Sequence, residues 1–512
     1  MATVLELPDI TRLLGELLDK KSLKSCVLVS RSFYASYAPF LWRKVTLDGP
    51  EKLMDLAIFK AQADHVQELD INNSIPSEYY NIKFKRLKAV RLSMDNRDFF
   101  SDRSKDDAVD KVCPDYTPFA RLNPTIRTLL FFDMQLPSSS AFWDAVATDW
   151  EDPKGLFLYY SDVTPDIADS FWRACARLET IALCIVTISP STILPSLTFP
   201  RVTTLTLDFV DKNKPDVFRP LDQLTLVKAC PHLTTLGWNA VADEASSLTF
   251  KQEFENASWP ELASVSISRS AFDDEIIASI IKAAPSLKKL DNPSGVFGPK
   301  AHASIIQSQC NKLEWLSVKK CSSFTGAMAQ EILSRCPLLK HFEAPSIHLK
   351  DIAQSGLPWV CLELENLTIQ FEKQPEDPIE WERGVFGQLS RLTRLKHFDM
   401  GFGYRGFHHN GSRVVPKQSI NLSLASGLGS LASLKEIRTF HFEGTVQEMG
   451  KEEIQWMLDH WKKLTKSRGR FSQVKSQHKE LAVLLNERRI ECDMDEDEDV
   501  VICRFSHDVV MV

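Results

Sequence analysis

The pattern apolar-x-x-apolar-x-apolar recurs along most of this 512-residue chain, and it limits the possible folds more than any other feature. Clear copies stand at Val66/Leu69/Ile71, Leu87/Val90/Leu92, Ile126/Leu129/Phe131, Leu178/Ile181/Leu183 and Val202/Leu205/Leu207. Others follow at Leu233/Leu236/Trp238, Leu262/Val265/Ile267, Leu313/Leu316/Val318 and Leu364/Leu367/Ile369. Weaker copies are Leu156/Leu158 (with Pro153 in the first slot), Leu287/Leu290, Leu339/Phe342, Leu395/Phe398/Met400 and Leu434/Ile437. From Leu233 the first positions fall at 233, 262, 287, 313, 339 and 364, in steps of 29, 25, 26, 26 and 25 residues. A step that regular is the signature of a repeat architecture.

The last two apolar residues of each copy are two apart, so they share one face of a short strand. The first precedes the strand and turns inward. Between copies lie stretches with apolar residues at helical intervals, such as 273–284, which opens on acidic residues, and 325–335. They run into Cys230-Pro231, Ala284-Pro285 and Cys336-Pro337, where proline stops a helix and returns the chain to extended geometry. One strand and one helix per roughly 26 residues describes a leucine-rich repeat. The expected fold is α/β, with parallel strands on a concave face and helices on a convex one. No single copy can bury its own apolar face. Stacked copies share a core worth about 1.5–3 kcal/mol per buried aliphatic side chain.

The composition is 44% hydrophobic and 25% charged with a net charge of −7, which excludes a wholly disordered chain and argues against a general nucleic-acid binder. The longest apolar runs, such as Ile181–Ile188, fall short of the roughly 20 residues that span a bilayer. The opening Met1-Ala-Thr-Val-Leu-Glu-Leu-Pro8 has no basic stretch of the signal-peptide kind. The expectation is an intracellular protein, cytoplasmic and/or nuclear, with neither nucleic acid nor membrane as a partner. None of the eleven cysteines forms a Cys-x-x-Cys pair, so they read as reduced packing residues. Gly401-Phe-Gly-Tyr-Arg-Gly406 matches a dinucleotide fingerprint in form. The following Phe407-His-His-Asn-Gly has no helical period, so the segment reads as a loop. No phosphate loop, nucleophile elbow or zinc-protease motif is present in the sequence. No cofactor, metal or catalytic residue is expected.

Residues 7–45 read differently. A short helix after Pro8, a turn at 19–22, a second helix through Tyr37 and a Leu41-Trp42 pair cannot bury enough surface to stand alone. This stretch resembles the F-box, through Leu7-Pro8, the Leu13/Leu14/Leu17/Leu18 cluster, Leu23, Cys26, Val29-Ser30-Arg31, Phe33 (where Trp is commoner in the family) and Leu41-Trp42-Arg43. The segments Leu226–Leu236 and Ile332–Phe342 likewise resemble the cysteine-containing repeats of F-box proteins. The resemblance implies a substrate receptor of a cullin-based ubiquitin ligase with no catalytic residues of its own. Its apolar F-box positions Leu7, Pro8, Leu14, Leu17, Leu18, Leu23, Val29, Phe33, Leu41 and Trp42 would bind a Skp-type adaptor, and through it a cullin. The alternative is a repeat scaffold with an F-box-like helical cap and no ligase role.

The expected organisation is an F-box at 1–48, about 14 irregular repeats over 49–448, capping helices at 449–490 and an acidic tail at 491–512. Met449–Leu464 places Ile454, Met457, Leu458, Trp461 and Leu464 on one helical face. In the repeats, the x positions around each apolar pair face the concave surface, where a protein substrate would bind. That register sets Leu130 and Phe132 beside Phe157 and Tyr159, and puts Trp315, His341 and His397 in equivalent slots. An exposed strip of this kind marks a partner site. Insertions near 95–120 and 401–420 are further candidates for ligand contact.

Overall fold

The computed structural model describes residues 8–49, 53–72, 75–93, 114–134, 136–188, 197–208, 220–239, 248–267, 272–401 and 418–492. Nearly every copy of the apolar motif among them is a short strand with its motif residues buried. Leu233, Leu236 and Trp238, for example, are at most 1% exposed. The chain divides into two compact units, Met1–Leu287 and Lys288–Val512.

In the first unit nine strands of the described residues run parallel in the main sheet: Lys44–Asp48, Glu68–Asn72, Ala89–Ser93, Thr128–Phe132, Gly155–Tyr159, Thr180–Cys184, Thr204–Asp208, Thr235–Asn239 and Ser264–Ser266. Motif residues pair with motif residues throughout, as in Leu69 with Val90, Leu129 with Leu156 and Leu205 with Leu236. A one-residue slip would turn each buried pair outward, so burial sets the register. In the second unit Lys289–Asp291, Trp315–Ser317, His341–His348, Asn366–Glu372, His397–Asp399, Thr439–His441, Lys466–Arg468 and Glu491–Cys492 are stacked in parallel in the same way. One strand per repeat, parallel to the next and joined by a helical return, is the leucine-rich-repeat fold.

The backbone climbs from repeat to repeat by one recurring bond. The carbonyl just before a strand accepts from two consecutive amides of the next repeat. Lys288 O accepts from Glu314 N (2.8 Å) and Trp315 N (3.0 Å), and Glu314 O accepts from Lys340 N and His341 N. Side chains at that rung alternate in charge. Lys288 pairs with Glu314 (3.6 Å), Glu314 with Lys340 (2.7 Å) and Glu365 with Lys396 (2.8 Å). Such exposed pairs contribute about 0–1 kcal/mol each, too little to define the stack. Helix ends follow local rules. Asp273 caps Asp274–Ala283 by accepting from Ile276 N, and Thr325 caps Gly326–Arg335 by accepting from Met328 N. Both helices end just before the Ala284-Pro285 and Cys336-Pro337 steps. Buried tryptophans tie successive repeats together: Trp238 Nε1 donates to Gln223 (2.8 Å) and Trp359 Nε1 to Gln330 (2.7 Å).

Three boundaries differ from the sequence reading. The strand Lys44–Asp48 buries Val45 and Leu47 and pairs with Glu68–Asn72, so the sheet begins inside the first 48 residues. The weak copy at Leu434/Ile437 is displaced: Leu434 follows the 3-10 turn Leu428–Ser433, and the buried pair is Phe440, in strand Thr439–His441, and Phe442 just past it. The stretch 449–490 is a continuation of the repeats rather than a separate pair of caps. Its helices Lys451–His460 and Lys475–Glu487 alternate with the sheet strands Lys466–Arg468 and Glu491–Cys492. Of the five residues expected on one face of its first helix, Ile454 and Met457 are buried in the helix and Leu458 is half-buried, while Trp461 and Leu464 are buried past the helix end at His460.

The N-terminal helices are Pro8–Leu17, Lys20–Val27 and Arg31–Leu41. Asp19 and Ser30 cap the second and third. A Cβ at Gly15 would lie 2.5 Å from the Phe40 ring, so glycine is what lets the first and third helices approach this closely. No helix of the described residues is long and apolar enough to cross a membrane.

Asn123, fully buried, binds three backbone groups: Phe84 N donates to its Oδ1 (2.7 Å), and its Nδ2 donates to Ile82 O and Phe119 O. Asn123→Ala strands all three and is expected to cost about 2–4 kcal/mol. Urea unfolding followed by tryptophan fluorescence checks this, and an unchanged midpoint would show that the three bonds matter little.

Candidate functional site

Three surfaces carry the candidate residues. The first is the N-terminal helix set, short helices whose apolar residues exceed what their own contacts can cover. Leu17 is 74% exposed and Val29 66%, and Leu14, Leu18, Phe33, Leu41 and Trp42 are half-buried. Leu23 is a correction: at 5% exposed it holds the helices together and offers nothing outward. Leu7 and the side chain of Pro8 lie outside the described residues. Leu28, which the motif comparison passes over, is the most exposed of all at 85%. Its place in the run Val27-Leu28-Val29, at the end of a short helix, was the available signal.

The second surface is the strand face of the first unit. Leu130 stands in register with Phe157, and Phe132 with Tyr159. All four are half-buried side chains on the face away from the core. The Phe132 and Tyr159 ring centroids are 5.8 Å apart. Just past three successive strands, Asp133, Tyr160 and Ile185 take left-handed backbone angles (φ 51°, 55° and 53°). For residues with a Cβ this costs roughly 1–2 kcal/mol each. The inter-repeat bonds Asp133 N to Tyr159 O, Tyr160 N to Cys184 O and Ile185 N to Asp208 O hold the turns. The turn brings the exposed Tyr160 edge-on to Phe132 at 5.9 Å. Arg91, one strand over and exposed, holds its guanidinium 5.8 Å from the Phe132 ring centroid. Tyr160 was not legible beforehand, because no motif position requires a left-handed turn there.

The third surface is the strand face of the second unit. Register places Lys289, Trp315, His341, Asn366 and His397 in one row. Trp315 and His341 stack face to face, 3.3 Å between centroids and 3° from parallel, with Lys289 Nζ 4.7 Å from the indole centroid. His397 stands apart from that stack, beyond Asn366; burial and the nearby Arg438 hold its pKa below the ordinary value. Two residues on, the next row carries Asp291, Ser317, Glu343, Thr368 and Asp399. Glu343 accepts from Ser317 Oγ (2.8 Å) and lies 3.6 Å from His341 Nε2; the adjacent imidazole holds its carboxyl below the usual range. Burial pushes the Asp291 and Asp399 carboxyls up. These acids sit at the alternate x positions of the motif, where the sequence analysis singled out only the aromatic rings and imidazoles.

The surroundings of these surfaces show little reactive chemistry. Burial pushes the thiols of Cys230, Cys321 and Cys361 up to about 12, so they stay protonated and fill space. Among the described residues no group of three or more His, Cys, Asp or Glu is placed to hold a metal ion. His408, His409, most of the two long insertions and the acidic run 493–499 lie outside the described residues.

No protein-family model and no curated protein matches the chain. Among solved structures it is similar to TLR13 in its complex with ssRNA13, at 12% identity and a TM-score of 0.44, over 87% of this chain and 64% of that one. It is also similar to an internalin (inlF) from Listeria monocytogenes str. 4b F2365, at 12% identity and a TM-score of 0.34, over 91% and 88% of the two chains.

Because burial raises the Asp291 carboxyl above its ordinary 3.8, the unfolded chain releases this proton first. The folded state therefore loses stability as pH rises through the window between that value and the raised one. Asp291→Asn is expected to unfold at higher temperature than the parent at pH 7, with the gain vanishing below about pH 3 where both carry a neutral side chain. Melting curves across pH 2.5–7 measure it.

Proposed function

We propose that this chain is the substrate-recognition subunit of a Skp-cullin-F-box ubiquitin ligase, with its N-terminal helices on the adaptor and its repeats on a protein substrate. One observation carries the reading. Five of the fifteen exposed large apolar residues among the described residues lie in the three short N-terminal helices (Leu13, Leu17 and Tyr34) or in the turn between the second and third (Leu28 and Val29). Water-facing apolar groups at that density on so small a helical set call for a partner. The F-box resemblance, which includes Leu13, Leu17 and Val29, supplies its kind. The outward strand faces support the second half of the reading, since they present side chains that the core does not use. The protein would break and form no bonds itself. Holding a substrate near a ubiquitin-charged conjugating enzyme raises the effective concentration of its lysines, a proximity effect supplied in trans. The place of action would be the cytoplasm and/or the nucleus.

The test mixes the purified full chain with a Skp-type adaptor on a sizing column. The intact chain is expected to co-elute. Leu17→Glu combined with Val29→Glu, both exposed and so tolerable to the fold, is expected to weaken the complex at least tenfold. A strand-face change such as Phe157→Ser should leave the complex intact. No complex for the intact chain would sink the ligase reading and favour a repeat scaffold with a helical cap.

A further inference from the structure

On the strand face of the first unit, Arg91 is a cation with no carboxylate in ion-pair range among the described residues. Its neighbour across the strand, Asp70, pairs with Lys44 at 3.4 Å instead. Arg91 leans over Phe132, toward the half-exposed strip of Leu130, Phe132, Phe157 and Tyr159. An exposed guanidinium beside half-buried aromatic rings complements a partner that brings a carboxylate and bulky apolar groups together.

We infer that this strip binds an extended segment of a protein partner with the pattern acid-x-apolar-x-apolar, the acid meeting Arg91 and the apolar side chains lying on the Leu130/Phe132 and Phe157/Tyr159 pairs. The inference rests on the repeats being the substrate-binding part of the protein, and it names the class of segment they take. The spacing follows from strand geometry. Arg91 and Phe157 stand two strands apart in one row, about 9.5 Å. An extended peptide rises about 3.3 Å per residue and repeats a face every second one, so side chains at i, i+2 and i+4 cover that span and its margin. Tyr160, exposed and held by its left-handed backbone, borders Phe132 edge-on. A fixed rim of rings needs little ordering on binding, which favours a short linear segment as the ligand.

The test uses the full chain and fluorescein-labelled peptides in a Gly-Ser frame, read by fluorescence polarisation. The cores are Glu-Thr-Leu-Thr-Phe, its reversed sequence, the charge-swapped Lys-Thr-Leu-Thr-Phe and the compressed Glu-Leu-Phe. One of the two acidic five-residue orders is expected to bind at least tenfold more tightly than the charge-swapped and compressed cores. Arg91→Glu is expected to invert the charge preference, a response that loss of folding would not produce, and Phe157→Ser to weaken every core. Equal binding of the acidic and basic cores, an unchanged ranking in Arg91→Glu, or no binding of any core would overturn the inference. Self-association that Phe157→Ser abolishes, seen by sedimentation, would also overturn it by giving the strip to a second copy. Adaptor co-elution on the same preparation is scored separately, so failure of the peptide arm stays distinct from failure of the ligase reading.

Discussion

Everything in this fold depends on each repeat burying its neighbour. A strand with two inward residues and a return helix leaves an open apolar side. Leu316 is buried to 0% exposure in a unit where its strand pairs with those carrying Leu290 and Phe342. Because the covering group is another copy of the same motif, the copies stack in parallel and in register. The same demand explains the irregular steps. A longer return changes the helix or loop, as around Leu428–Ser433, while the buried pair at Phe440/Phe442 keeps its place.

Polar groups follow the apolar stacking. Each carbonyl before a strand serves two amides of the next repeat, so the backbone is satisfied only when the neighbour is in place. Buried amide side chains act likewise. Gln330 accepts from the Trp359 indole while donating to Ser334, Ser355 and Leu357 O, which links one helix to the loop of the next repeat. Left unpaired, such groups would cost more than the bonds return. They penalise a wrong stack more than they stabilise the right one.

The outward strand faces are exempt from that demand, and this freedom permits recognition. Period-two alternation leaves every second strand residue without a core duty. In the first unit those positions gather aromatic rings beside an arginine. In the second they gather a Trp-His stack beside partly buried acids. The N-terminal helices are exempt for a different reason: they are too few to cover their own leucines.

The sequence by itself determined the repeat, its parallel strands and its helix ends, because these follow from local spacing and from proline and capping chemistry. It also determined the pairing of Leu130 with Phe157 and Phe132 with Tyr159, since register between identical motifs needs no further information. Only the tertiary structure decided that Leu23 turns inward while Leu28 faces water, because three helices of similar composition can pack with several faces inside. It alone decided the left-handed turn that brings Tyr160 to Phe132, and the stacking of Trp315 on His341. Those depend on how far a side chain reaches across a neighbouring strand, a distance that motif spacing does not contain.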